Sequence, residues 1–254
     1  MSEQEQKQEQ AQEKKDLNAG TGWGRVAIGV RIGSYPDPAF FESWTGLIIN
    51  GLREGDAVLM PAVNRPHAIA ANFLATQFLQ TDCDSMLFLD DDMEFGPRNL
   101  EVLRESPQRF AMIGGLYPCR RAPFSPVVLL KKKDGGYGYP RDIAARAPFI
   151  ETDVVGLGFT LIKRWAIEAV GKLHPELGVF GWTNALGEDG HFCEELQSLG
   201  GVCGINTTCN CGHRTVFTAR WNVEQGKVNM KYNNFGLRIG NTTQKPTAPE
   251  PAQE

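Results

Sequence analysis

The segment LFLDDDMEF (87–95) concentrates the residues with the clearest chemical potential. Four apolar residues, 86–89, run into Asp90, Asp91 and Asp92, and Glu94 follows. Asp82 and Asp84 precede them, so six acids lie between 82 and 94, and no lysine or arginine occurs from 66 to 97. Adjacent carboxylates without local counter-charge repel one another, which raises their pKa values and destabilises a fold. A divalent cation removes that penalty. Hard oxygen ligands suit Mg2+ or Mn2+, above all where diphosphate oxygens complete the shell. On an extended segment Asp90 and Asp92 point one way and Asp91 the other. A solvated acidic turn would use the same residues. A buried strand that delivers them to the carboxyl edge of a sheet favours a ligand site, because open α/β sheets bind ligands there.

Two later segments add ionisable groups. GEDGHF (187–192) sets Glu188 and Asp189 at a predicted helix N-terminus. The helix dipole favours carboxylates there, so an acidic cap is one reading. A general base that deprotonates an acceptor hydroxyl is the other. CNCGHRT (209–215) places Cys209, Cys211 and His213 on one face of a strand. His213 then reads as a ligand of the metal held by Asp92. Cys203, Cys209, Cys211 and His213 together read as a zinc site, although the tight C-x-C-x-H spacing lacks the usual C-x2-C. Buried thiols beside a satisfied core histidine are the third reading.

NRPHAIAANF (64–73) brings Arg65 and Asn72 near one helical face, with Arg65 either reaching a phosphate or remaining a surface cation. VGLGFTLIKR (155–164) sets Gly156 and Gly158 before a strand, where they permit close backbone approach or make a structural turn. Arg120, Arg121, Lys131, Lys132, Lys133, Arg141 and Arg146 form a basic stretch. It is either a solvated face or a contact for an anionic donor or acceptor. Tyr137 and Tyr139, among glycines, suit stacking on a ring.

The elements that must position these groups alternate between strand and helix, which implies an α/β sheet. RVAIGVRI (25–32) is the first predicted strand, followed by a helix over 39–52 and a short strand over 57–60. Asn64 is the predicted cap of a helix with Pro66 in its first turn. Strands follow at 86–89, 111–115 and 159–163, with helices over 97–107, 165–170 and 188–199 and strands near 202–206 and 209–215. Glycine is 28 of 254 residues, above the usual ~7%, which favours an α/β enzyme over a helical bundle.

The formal net charge is −4. Residues 1–16 carry five acids and three lysines, and residues 243–254 two acids and one lysine, so the tails hold −3 and the body −1. A near-neutral body lends no support to broad attraction to nucleic acid or membrane. No apolar run reaches the ~18 residues of a membrane span. Six cysteines without framework spacing suit a reducing, cytoplasmic setting. Residues 1–20 and 241–254 read as disordered tails around one domain at 22–240.

Taken in order, these segments resemble a GT-A-type glycosyltransferase, of the kind grouped with family 2-like and phage-encoded enzymes. The resemblance spans roughly 25–215. LFLDDDMEF resembles that family's DxD strand end, GEDGHF its xED motif, CGHRT its late metal-binding histidine and NRPHAIAANF its arginine-asparagine helix. It implies a single GT-A-like, Rossmann-like α/β domain with a mixed, mostly parallel sheet flanked by helices. It implies Mn2+ or Mg2+ and a nucleotide-sugar donor. Asp90 would contact the nucleoside, and Asp91, Arg65 and Asn72 would belong to the donor site. Asp92, with Asp90 and His213, would bind the metal. Asp189 would be the base of an inverting transfer, with Glu188 beside it. The acceptor is open: a glycan, a protein or a hydroxylated base in DNA. A catalytically idle nucleotide-sugar-binding or virion-associated module, and a small zinc module around 203–213, are the other readings.

Overall fold

In the computed structural model, residues 22–120, 124–140, 143, 147–182 and 186–215 are described, together with the backbone of 217–222 and 227–232. The tails expected at 1–20 and 241–254 lie outside the described residues, as do Arg121, Arg141 and Arg146. The chain divides into two compact units, the first ending at Arg214 and the second beginning at Thr215. In the second, β14 (Phe217–Asn222) pairs antiparallel with β15 (Lys227–Tyr232).

The first unit is built on an eight-stranded sheet. Its strands are β1 (Val26–Ile32), β2 (Ala57–Val58), β3 (Ala62–Val63), β4 (Ser85–Asp90), β6 (Met112–Leu116), β9 (Phe149–Glu151), β11 (Phe159–Lys163) and β12 (Cys203–Asn210). The order is β2-β1-β4-β11-β6-β12-β9, with β3 continuing the β2 side of β1. Six of the eight strands run in one direction, and β11 and β9 oppose them. The mixed, mostly parallel α/β sheet flanked by helices is as expected. The short strands β5 (Met93–Glu94) and β13 (Gly212–His213) pair outside this sheet, as do β7 (Val128–Lys131), β8 (Tyr137–Gly138) and β10 (Val154–Val155). No helix among the described residues is long and apolar enough to cross a membrane.

Helices cover both faces. α1 (Pro38–Asn50) and α3 (Asn99–Arg104) supply Phe40, Leu47, Leu100 and Leu103 to one core. α2 (His67–Leu79), α4 (Arg164–Leu173) and α5 (Glu188–Ser198) supply Leu74, Phe78, Ile167, Phe192 and Leu196 to the other. This explains the unbroken apolar run of β4. With both faces covered, Met86 and Phe88 enter one core and Leu87 and Leu89 the other. The helix expected from Asn64 instead begins at His67, with Pro66 as N-cap and no side-chain cap bond. Asn64 takes a φ of 51°, the left-handed conformation that asparagine tolerates, and accepts a hydrogen bond from the Ser34 hydroxyl.

The start of β1 is anchored by an ion pair. Asp56 accepts the backbone N–H groups of Val26 and Arg53, each at 2.8 Å, and the guanidinium of buried Arg104. The pair is nearly dry, with side-chain exposure of 3% for Arg104 and 1% for Asp56. Asp56→Ala therefore leaves buried Arg104 with Glu101 as its remaining carboxylate among the described residues and takes the acceptor from the Val26 amide. The expected loss is about 3 kcal/mol in urea denaturation, and a loss below about 1 kcal/mol would place the pair among ordinary surface contacts.

Candidate active site

β1 and β4 run in parallel register with Arg31 opposite Asp90 at their carboxyl ends. The Arg31 side chain is 8% exposed, and its guanidinium joins two segments distant in sequence. Nε donates to Asp90 Oδ1 at 2.7 Å and Nη2 to Asp90 Oδ2 at 3.0 Å. Nη1 donates to Glu188 Oε1 at 2.8 Å, at the first turn of α5. Burial pulls the Arg31 pKa down, and Asp90 and Glu188 more than offset it, so the group is held above its ordinary value.

After Asp90 the chain leaves the sheet. Asp91 Oδ2 accepts the Gly33 N–H at 2.7 Å, and its carbonyl accepts the N–H of Asp37, the N-cap of α1, at 2.9 Å. Its pKa is raised, first by burial and then, against the Gly33 bond, by Asp92 and Asp90. Asp92 has the opposite balance. Burial pushes it up, but the facing His213 and Arg120 bring it below the ordinary value. Asp92 Oδ2 lies 2.7 Å from Arg120 Nη1 and 3.4 Å from His213 Nε2. Its Oδ1 is buried with no hydrogen-bond partner.

His213 reaches Asp92 because β13 pairs antiparallel with β5, placing His213 opposite Met93. Its Nδ1 lies 2.8 Å from the Pro118 carbonyl. A carbonyl only accepts, so Nδ1 carries the hydrogen and Nε2 is the atom presented to Asp92. Tyr117 packs edge-on against the imidazole, at 5.5 Å between centroids, and its hydroxyl accepts the Gly158 N–H at 2.9 Å. Burial, then the field of Asp90, raises the phenol pKa well above normal.

These groups fit a divalent cation. A buried carboxylate oxygen without a partner and an imidazole nitrogen fixed by its outer hydrogen bond are the donors such an ion takes. Among the described residues no group of three or more His, Cys, Asp or Glu could hold a metal. Two protein donors would leave the remaining positions of a Mg2+-type ion to other oxygen ligands. The residues expected at zinc do not converge. Cys203 lies in the core on one face of the sheet, and Cys209 and Cys211 in the core on the other. Cys211 Sγ accepts from the Asn99 amide, and Cys209 is bonded to Asn99 O. The Cys211 contact and burial raise the Cys209 pKa.

The structure gives each expected group its own surroundings. The acids are not unopposed: Arg31 and Arg120 supply counter-charge from outside the 66–97 interval. Asp90, expected at both nucleoside and metal, has both of its carboxylate oxygens hydrogen-bonded by Arg31. Arg65 lies over the Phe73 ring at 4.2 Å and makes no ion pair among the described residues. Asn72 does not face the acids. Its amide clamps the backbone of Phe180, donating to the carbonyl at 2.8 Å and accepting the N–H at 3.0 Å. Gly156 and Gly158 have a packing reason, since a Cβ on either would meet the Tyr117 hydroxyl within 3 Å. Tyr137 bonds to Glu194, and Lys131–Lys133 are exposed on the β7–β8 hairpin.

Arg31, Tyr117 and His67 were not singled out by sequence reasoning. His67 Nδ1 lies 3.8 Å from Glu188 Oε1. A signal existed for Arg31, because a cation within RVAIGVRI needs a buried partner. Its partners were not legible, since Glu188 is remote in sequence.

No protein-family model matches the chain, and no curated protein matches it. Among solved structures, the protein A197 from STIV matches with a TM-score of 0.53 and 18% identity, over 85% of this chain and 98% of its own. The likeness to A197 is one of fold. GalNAc-T7 with UDP, GalNAc and Mn2+ matches with a TM-score of 0.47 and 12% identity, over 76% of this chain and 44% of that one. A match at that level says nothing of function.

Asp189 stands beside this network on α5. Burial, then repulsion from Glu188, raises its pKa above the ordinary carboxylate value. The folded state therefore binds this proton more tightly than the unfolded chain. The ionised group lowers stability at neutral pH, and that penalty fades as pH falls through the folded pKa. Asp189→Asn should melt at a higher temperature than wild type near neutral pH, with the gap closing toward pH ~4. An Asn variant less stable at neutral pH would show that the site is not charge-strained there.

Proposed function

We propose that this protein is a metal-dependent glycosyltransferase that moves a sugar from a nucleotide-sugar donor to an acceptor hydroxyl with inversion. The observation that carries the reading is that Asp92 keeps Oδ1 buried without a partner while its Oδ2 lies 3.4 Å from His213 Nε2, at the carboxyl edge of the sheet. The order of the motifs along the chain, with its resemblance to GT-A-type enzymes, supports it.

Asp92 and His213 would hold the metal. When bound, the ion supplies positive charge against the diphosphate that departs. Arg120 adds a second cation on the same edge, where developing charge is best met by groups already in place. Asp189 has the character a base needs: a carboxyl in a buried setting whose raised pKa increases its appetite for a proton. In the transfer, the acceptor oxygen bonds to the anomeric carbon, the bond from that carbon to the diphosphate oxygen breaks, and the acceptor proton passes to Asp189. The nucleoside diphosphate leaves with the bonding electrons. Glu188 is the weaker choice for base, because its carboxylate is tied to Arg31.

The test is turnover of nucleotide sugars in Mn2+, read as release of nucleoside diphosphate. Asp92→Ala should lower it by about 10²-fold or more. Unchanged turnover in that variant, with Mn2+ still required, would remove Asp92 from the mechanism.

A further inference from the structure

One buried cation holds together the two halves of the site. Asp90 ends the strand that leads into the metal-side carboxylate, and Glu188 opens the helix that carries Asp189. Arg31 reaches both from β1 through three hydrogen bonds of 2.7, 3.0 and 2.8 Å. The planar guanidinium fork sets direction as well as distance. Glu188 Oε1 is also 3.8 Å from His67 Nδ1 on α2, so Arg31 and His67 approach the same carboxylate from different elements. We propose that Arg31 is a positioning residue: by holding Glu188 against Asp90 it seats the first turn of α5 and leaves Asp189 as the base. This rests on the glycosyltransferase reading and adds the residue that joins its donor and acceptor sides.

The electrostatics around Asp189 agree with that geometry. Glu188 on its own helix raises its pKa and Arg31 on β1 lowers it. Tyr117 and Cys193 also face it, and both keep their protons at neutral pH. Arg31 thus acts on Asp189 in two ways, through the position of the helix turn and through its charge. Removing Arg31 takes away the cation, and removing the Glu188 charge takes away the repulsion. The two changes must move the Asp189 titration in opposite directions. A merely structural arginine has no such signature.

The experiment compares wild type, Arg31→Met, Arg31→Lys and Glu188→Gln, each confirmed folded by thermal melt. The first readout is Mn2+-dependent release of nucleoside diphosphate from UDP-, GDP-, ADP- and CDP-sugars. In Arg31→Met, kcat should fall by about 100-fold with KM for the nucleotide sugar changed less than about threefold. The acid limb of the pH profile should move to higher pH. Arg31→Lys should recover part of kcat and return the limb toward wild type. Glu188→Gln, which keeps an acceptor for Arg31 but not the charge, should lower kcat less than Arg31→Met does, with its acid limb moved to lower pH. An acid limb that stays put in Arg31→Met, or one that moves to higher pH in Glu188→Gln, would overturn the proposal. The second readout needs no turnover: carboxyl 13C NMR of aspartate-labelled protein follows Asp189 directly, assigned with Asp189→Asn. If wild type releases no nucleoside diphosphate from any of these sugars, the enzymatic reading fails on its own. The opposite displacements of the Asp189 titration then still decide whether Arg31 governs that carboxylate. Should Arg31→Met not fold, Arg31→Lys against Glu188→Gln carries the same comparison.

Discussion

A guanidinium buried in a sheet must be met by carboxylates, and the first unit of this protein is arranged around that requirement. Arg31 sits where β1 ends, in a position otherwise suited to apolar residues. An unpaired charge there would be severely destabilising. Asp90 meets it from the adjacent strand and Glu188 from the head of α5. Satisfying this one group brings together the end of β4, the first turn of α5 and, through His67, the first turn of α2. The ionisable groups of the site therefore sit on structure that is costly to rearrange, and the helix that bears Asp189 cannot shift without exposing a buried charge.

The same economy of charge separates the acids by task. Asp90 is engaged in a bidentate pair, Asp91 accepts a backbone N–H, and Asp92 alone keeps a buried oxygen without a partner. Three neighbours of one residue type thus have three environments. The pKa of Asp91 rises while that of Asp92 falls, so carboxyls side by side in the chain differ in their readiness to carry charge. Asp92 is the one whose surroundings favour an anion and leave an oxygen open. His213, brought in by the two-residue ladder between β5 and β13, sets an imidazole nitrogen beside Asp92.

Local features of the fold were legible in the sequence. Strand β11 falls at Phe159–Lys163, the expected span, because β-branched and aromatic residues follow a glycine turn. Helix α5 begins at Glu188, as the acid pair suggested. The DDD run announced a sheet edge, since an apolar run ends there abruptly. What escaped was tertiary. Counting charges along 66–97 missed Arg31 and Arg120, which oppose the cluster in space. Helical spacing placed Asn72 near Arg65, but it could not show that the amide holds Phe180 or that Arg65 lies on Phe73. Alternation along 209–215 placed Cys209, Cys211 and His213 together. It could not show that Asn99 bonds to both sulfurs while His213 turns to Asp92.

The central claim is that Asp92 and His213 hold a divalent cation that also takes diphosphate oxygens. Pulsed electron paramagnetic resonance on protein loaded with Mn2+ and a nucleoside diphosphate tests this at the metal itself. The probe is whichever of UDP, GDP, ADP or CDP gives the largest Mn2+-dependent thermal shift. The account predicts nitrogen coupling from one imidazole together with phosphorus coupling from the diphosphate, with the nitrogen signal absent in His213→Ala. Phosphorus coupling without nitrogen coupling in the wild-type protein would contradict it.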